Sequence, residues 1–295
     1  MYRVLALVAC AVLGLLVVMP AWAADYYISL GGSDSNPGTE ASPWRNPWIV
    51  VSKTFMPSDT IYIKAGTYII VPQLWSAHNH PTIHLRQSGT AGNPITMRNF
   101  PGDTVVLSGT AGGPTIIGVS EGNTSNYVTF DGLTVVGGGG SAIAAIRGSN
   151  NVTFQNSILS GGRLSVCDNT SGFRIEGAST VTIKNNKISD VQNPCGDGNA
   201  SAMTLYAVSG VTIENNEMFN MPAGIHLKTG TGNIATFTIR NNYIHDTTLY
   251  AFGVSFAPGD VISGIKIYQN IFATAGSGNK MDSGGDAGFT NDFEI

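Results

Sequence analysis

Val181-Thr182-Ile183-Lys184-Asn185-Asn186-Lys187-Ile188 decides the fold, because the chain repeats it. It returns as Val211-Thr212-Ile213-Glu214-Asn215-Asn216-Glu217-Met218, as Phe237-Thr238-Ile239-Arg240-Asn241-Asn242-Tyr243-Ile244, and as Ile265-Lys266-Ile267-Tyr268-Gln269-Asn270-Ile271-Phe272. Looser copies begin at Val152 and Val128, so successive starts lie 24, 29, 30, 26 and 28 residues apart. Ile95-Thr96-Met97 and Ile61-Tyr62-Ile63 extend the series toward the N-terminus. Each copy alternates apolar and polar residues over three or four positions, which is strand periodicity and too short for a helix. One such strand cannot hide its apolar face, whereas stacked copies can. Asn186, Asn216, Asn242 and Asn270 share one repeat position, where stacked amides can hydrogen-bond from turn to turn.

Each unit carries a second strand after a variable loop: Phe173–Glu176, Met203–Tyr206, Gly224–Lys228 and Phe252–Phe256. Ile175, Leu205, Leu227 and Phe256 are expected to point inward and their neighbours outward. The expected architecture is an all-β, right-handed parallel β-helix of about 8–9 coils over residues 61–295, with residues 24–60 as a lead-in and cap. Composition agrees. Only 12% of the residues are charged, too few to build surface helices, while 42% are hydrophobic and can fill a core.

Residues 1–23 read as an export signal: Arg3, an apolar run from Val4 to Pro20, then Ala21-Trp22-Ala23. Its removal leaves 14 basic against 19 acidic residues, a balance that excludes nucleic-acid binding by bulk charge. A secreted or periplasmic location follows, with no membrane attachment after cleavage and no partner subunit required, so a monomer is expected. Cys167 and Cys195, 28 residues apart in equivalent loops, are expected to form a disulfide. His78, His80 and His84 have spacing that could bind zinc, although a polar loop explains them as well.

These coils resemble the right-handed parallel β-helices of the pectate-lyase-like superfamily. Gly32-Ser33-Asp34-Ser35-Asn36-Pro37-Gly38-Thr39, Ser42-Pro43-Trp44 and Pro57–Tyr68 are similar to the N-terminal part of polysaccharide lyase family 9. The resemblance implies a short helix over Trp48–Phe55 that covers the first coil. It also implies an acidic, uronate-containing polysaccharide as substrate, cleaved by β-elimination with a lysine base and an aspartate-rich Ca²⁺ site. By position Lys228 is that lysine, with Arg174 or His226 assisting, and Arg147, Glu176 and Tyr206 meeting the sugar. Asp168, Glu176, Asp190 and Asp197 are the candidate calcium ligands, although they form no tight acidic cluster in the sequence. The outward residues are expected in two columns: Ala145, Arg174, Thr204, His226, Ser255 and Arg147, Glu176, Tyr206, Lys228, Ala257. A non-catalytic surface or matrix β-helix that binds glycan or another partner is the competing expectation. Phe293 falls on the repeat, so the sequence stops in mid-strand, and a truncated product is expected.

Overall fold

The computed structural model describes residues 23–71, 82–110, 113–119, 124–138, 140–229, 232–255, 257–273, 280–282 and 288–289. The export segment up to Trp22, together with His78, His80, Phe256 and Phe293, lies outside them. Among the described residues, ten parallel strands form one sheet in strict chain order, from Asp25–Ile28 and Thr60–Ile63 through Ser179–Lys184 and Ser209–Glu214 to Gly288–Phe289. These strands contain the Val-Thr-Ile repeats. Ile61, Met97, Phe130, Phe154, Ile183, Ile213, Ile239 and Ile267 follow one another in register and are all buried. The intervening threonines, from Thr96 to Thr238, line the opposite face. That is the stacking that the alternation demands, and the fold is the expected parallel β-helix.

The second sheet takes two strands from most coils. One set follows the Asn corner (Thr134–Val136, Ile158–Ser160, Lys187–Ser189), and the other follows the variable loop (Ala144–Arg147, Thr170–Glu176, Ala200–Tyr206). In the next two coils the loop is gone. Glu217–Lys228 and Tyr243–Ser255 each run through both positions as one long strand, with a register shift between Met221 and Ala223. Pro222 therefore sits inside a strand rather than in a loop.

The paired asparagines divide the work of the corner. The first of each pair takes a left-handed conformation (Asn185 φ 55°, Asn215 φ 55°, Asn241 φ 55°), which asparagine tolerates better than most residues. The second turns inward and builds a ladder. Asn216 Oδ1 accepts from Asn186 N at 2.9 Å and from Asn186 Nδ2 at 3.1 Å. Asn216 Nδ2 donates to Ile183 O at 2.9 Å, Glu214 O at 3.0 Å and Asn242 Oδ1 at 3.0 Å. Asn242 and Asn270 repeat the pattern.

The cap is a 3₁₀ helix over Pro47–Ser52, shorter and earlier than the expected helix over Trp48–Phe55. Pro47 starts it at no cost in hydrogen bonds. Phe55, beyond its end, is buried edge-on against Trp44 and Tyr26. Gly38 (φ +87°) lets the Trp44 ring close in, because a Cβ there would stand 2.5 Å from the indole. Among the described residues, no helix is long and apolar enough to cross a membrane.

Candidate functional site

The outward columns form as the sequence implies for four coils and then slip. Ala145, Arg174, Thr204 and His226 are in register, as are Arg147, Glu176, Tyr206 and Lys228. In the next coil, however, Gly253 pairs with His226 and Ser255 with Lys228, and the inward partner of Leu227 is Val254. The sequence reading placed Ser255, Ala257 and Phe256 in those positions. A shift of two residues preserves the in–out alternation, so periodicity cannot detect it.

Lys228 lies at the centre of this wall. Its Nζ donates to Asn169 Oδ1 and to Asn199 Oδ1, each at 2.6 Å, and lies 6.0 Å from the Tyr206 ring centroid. Asn169 and Asn199 belong to successive coils and occupy equivalent places just before their strands, with Thr170 N donating to Asn199 O. Burial, and then the Arg174 charge, lower the lysine pKa from 10.5 to about 8, against the opposing pull of Asp197 and Asp168. A neutral amine has two N–H bonds and one lone pair. With both hydrogens given to the two asparagines, the lone pair is directed away from them.

Arg174 packs over the Tyr206 ring at 4.6 Å and donates through Nε to Glu176 Oε2 at 2.9 Å. Tyr206 is 8% exposed, and its hydroxyl donates to Asn169 Oδ1 at 3.3 Å. Burial raises its pKa, Arg174 opposes this, and Glu176 and Asp168 add to it, so the phenol stays neutral. Arg147 is 1% exposed, donates to Ser141 Oγ at 2.7 Å and lies 3.5 Å from Glu176 Oε2. Expected to meet the sugar, it is instead buried beneath the surface that a sugar would touch. His226, 6% exposed, is bonded at Nδ1 to Gly198 O (2.9 Å) and at Nε2 to Ser255 Oγ (2.8 Å).

The four candidate calcium ligands do not assemble. Glu176 carries Arg174 and Arg147. Asp190 sits at a coil corner, where Ser189 Oγ donates to it at 2.6 Å and Asn220 Nδ2 also donates. Asp197 accepts from Asn193 Nδ2 at 2.7 Å, Asn199 N at 3.1 Å and Asn199 Nδ2 at 3.2 Å. Burial opposes its ionisation, but these hydrogen bonds and Lys228 together bring its pKa below the usual carboxylate value. Asp168 is exposed and bonded to the neighbouring Asn169. Among the described residues no three His, Cys, Asp or Glu side chains gather as metal ligands, the buried His84 included. Calcium prefers six to eight oxygen ligands, and carboxylates already engaged in this way do not fit it.

Cys167 and Cys195 are bonded, with Cα atoms 5.4 Å apart. The bridge ties together the two loops that carry Asn169 and Asn199. Replacing both cysteines with serine is expected to cost about 2–3 kcal/mol and to increase hydrogen exchange across both loops. Chemical denaturation and exchange mass spectrometry would check this, and unchanged loop protection would contradict it.

Asn169 and Asn199 were not legible as site residues. The two asparagines stand out in sequence only as Asn-x-Ser/Thr triplets. Their separation of 30 residues, one coil, was the signal that could have found them.

A family model for the right-handed β-helix region matches residues 117–293. Among curated proteins, the uncharacterised YwoF of Bacillus subtilis (strain 168) is 27% identical over 228 residues, 75% of this chain and 42% of that one. Pectate lyase PEL9 of Emericella nidulans is 35% identical over 89 residues, 30% of this chain and 19% of that one. The chain thus spans less than half the length of these relatives. Among solved structures, a rhamnogalacturonan lyase superposes with a TM-score of 0.55 at 19% identity, covering 82% of this chain and 73% of that one. Pectate lyase Pel9A gives 0.52 at 16% identity, covering 90% and 81%. At such identities the likeness is one of fold.

Proposed function

Because this chain belongs to the right-handed β-helix family, we propose that it is an exported carbohydrate-active protein that cleaves a uronate-containing polysaccharide by β-elimination. One observation carries the reading: Lys228, with its pKa lowered to about 8, is held by two asparagine oxygens that leave its lone pair for a substrate proton. The names of PEL9, Pel9A and the rhamnogalacturonan lyase point to the same class of chemistry. β-Elimination requires the uronate carboxylate to be neutralised so that the adjacent C–H becomes acidic. Arg174 is the cation beside Lys228, and its terminal nitrogens can donate to a carboxylate while Nε serves Glu176. Lys228 then takes the proton, the C–H electron pair becomes the new C=C bond, and the glycosidic oxygen leaves with the electrons of its own C–O bond and takes a proton from water. No step is assigned to calcium, because the donor set does not fit it.

The test is ultraviolet absorbance of the unsaturated product on pectate, alginate and rhamnogalacturonan, with and without chelator. Product is expected, at the same rate in both arms. Absence of product across the panel would leave the non-catalytic glycan-binding reading, which the lack of a gathered acidic cluster among the described residues favours. A rate abolished by chelator and restored by Ca²⁺ would overturn the metal-free assignment.

A further inference from the structure

His226 and Lys228 are two residues apart on one strand, so both project from the same face, and they grip adjacent residues of one loop. Lys228 holds the Asn199 side chain, and His226 holds the carbonyl of Gly198. A carbonyl oxygen only accepts, so His226 Nδ1 carries a proton, and in the neutral ring Nε2 then accepts from the Ser255 hydroxyl. Tyr250 completes the arrangement. Its hydroxyl lies 3.0 Å from His226 Nδ1 and donates to Gly198 O at 3.4 Å, and its ring packs edge-on against the imidazole. A Cβ at residue 198 would stand 2.2 Å from the Tyr250 hydroxyl, so the loop can approach only because that residue is glycine.

We infer that His226 is a positioning residue: through Gly198 it locks the Asp197–Asn199 loop over the groove and thereby seats Lys228. The inference rests on Lys228 being the working group of the groove. With both ring nitrogens engaged by protein groups, His226 acts through the loop and not on a sugar. The groups that face Lys228 are Arg174 and Tyr206 from neighbouring strands, with Glu176 behind Arg174, and Asp168 and Asp197 from the loops. Ser255 continues its column. Loosening the loop admits water to Lys228 and removes the main cause of its lowered proton affinity.

Three full-chain variants separate the roles of the two ring nitrogens. Asparagine places an amide nitrogen where Nδ1 stands and glutamine places one where Nε2 stands, so only His226→Asn can still donate to Gly198. The readouts are hydrogen exchange in the peptide spanning residues 195–201 and competitive acetic-anhydride labelling of Lys228 across pH. His226→Ala and His226→Gln are expected to speed loop exchange about tenfold and to move the labelling midpoint from about 8 toward 10.5. His226→Asn is expected to stay near wild type in both. Wild-type behaviour of the alanine and glutamine variants, or an asparagine variant indistinguishable from alanine, would overturn the inference. If alanine alone fails to fold, the asparagine–glutamine contrast decides, and if none of the three folds the inference falls. Neither readout needs turnover, so a negative lyase assay leaves this test standing.

Discussion

Replacing Lys228 with methionine is expected to lower eliminase turnover by about 10²- to 10⁴-fold, the usual worth of a positioned general base. It is also expected to change how stability depends on pH. The wild-type ammonium is disfavoured in the fold by burial and by Arg174, so its pKa is about 8 against 10.5 for the free side chain. Between those values the unfolded chain binds more protons than the native one, so stability rises with pH across that window. Below about pH 8 the penalty for charging the lysine is present in full. The stability difference between wild type and Lys228→Met should therefore move in favour of wild type by about 1–2 kcal/mol from pH 8 to 10.5, discounted for the solvent that reaches the amine. Paired denaturant titrations at the two pH values would read it. A flat difference would mean that the lysine is solvated like any surface lysine, and the base assignment would lose its foundation.

The second large effect belongs to the ladder. Asn216 is 2% exposed, and its amide bonds to groups in three coils. Asn216→Ala leaves the Asn186 backbone N–H and the Ile183 carbonyl without those partners, while Asn242 Oδ1 keeps the backbone N–H of residue 216. At about 1–3 kcal/mol for each buried group left unsatisfied, less what relaxation recovers, a loss of about 3–5 kcal/mol is expected. Asn215→Ala, one residue earlier, removes only a favourable left-handed corner and should cost about 1 kcal/mol. Equal losses at the two positions, measured by chemical denaturation, would show that the amide ladder does not hold the corner.

The export segment, two of the three histidines of the zinc reading (His78 and His80), and the terminal Phe293 lie outside the described residues. Within it, the repeat was readable because each coil meets the same environment. Valine, isoleucine and threonine recur wherever a neighbouring coil supplies the same wall, and asparagine recurs wherever the corner needs an inward amide. The groove was readable only as far as that sameness extends. Arg174, Glu176, Tyr206 and Lys228 could be placed in columns from their strands alone. The burial of Arg147 could not, because it depends on Ser141 and Glu176 closing over it. Nor could the two-residue slip that brings Ser255 beside Lys228.

By itself the sequence determined a parallel β-helix, its period, its Asn corners and the face on which Lys228 emerges, because these follow from local alternation repeated at coil length. Only the tertiary structure decided that Asn169, 59 residues before Lys228, and Asn199 would grasp its amine, and that Glu176, Asp190 and Asp197 would be engaged by other partners. Those contacts form between irregular loops, where no periodicity constrains the chain and position is set by what each loop packs against.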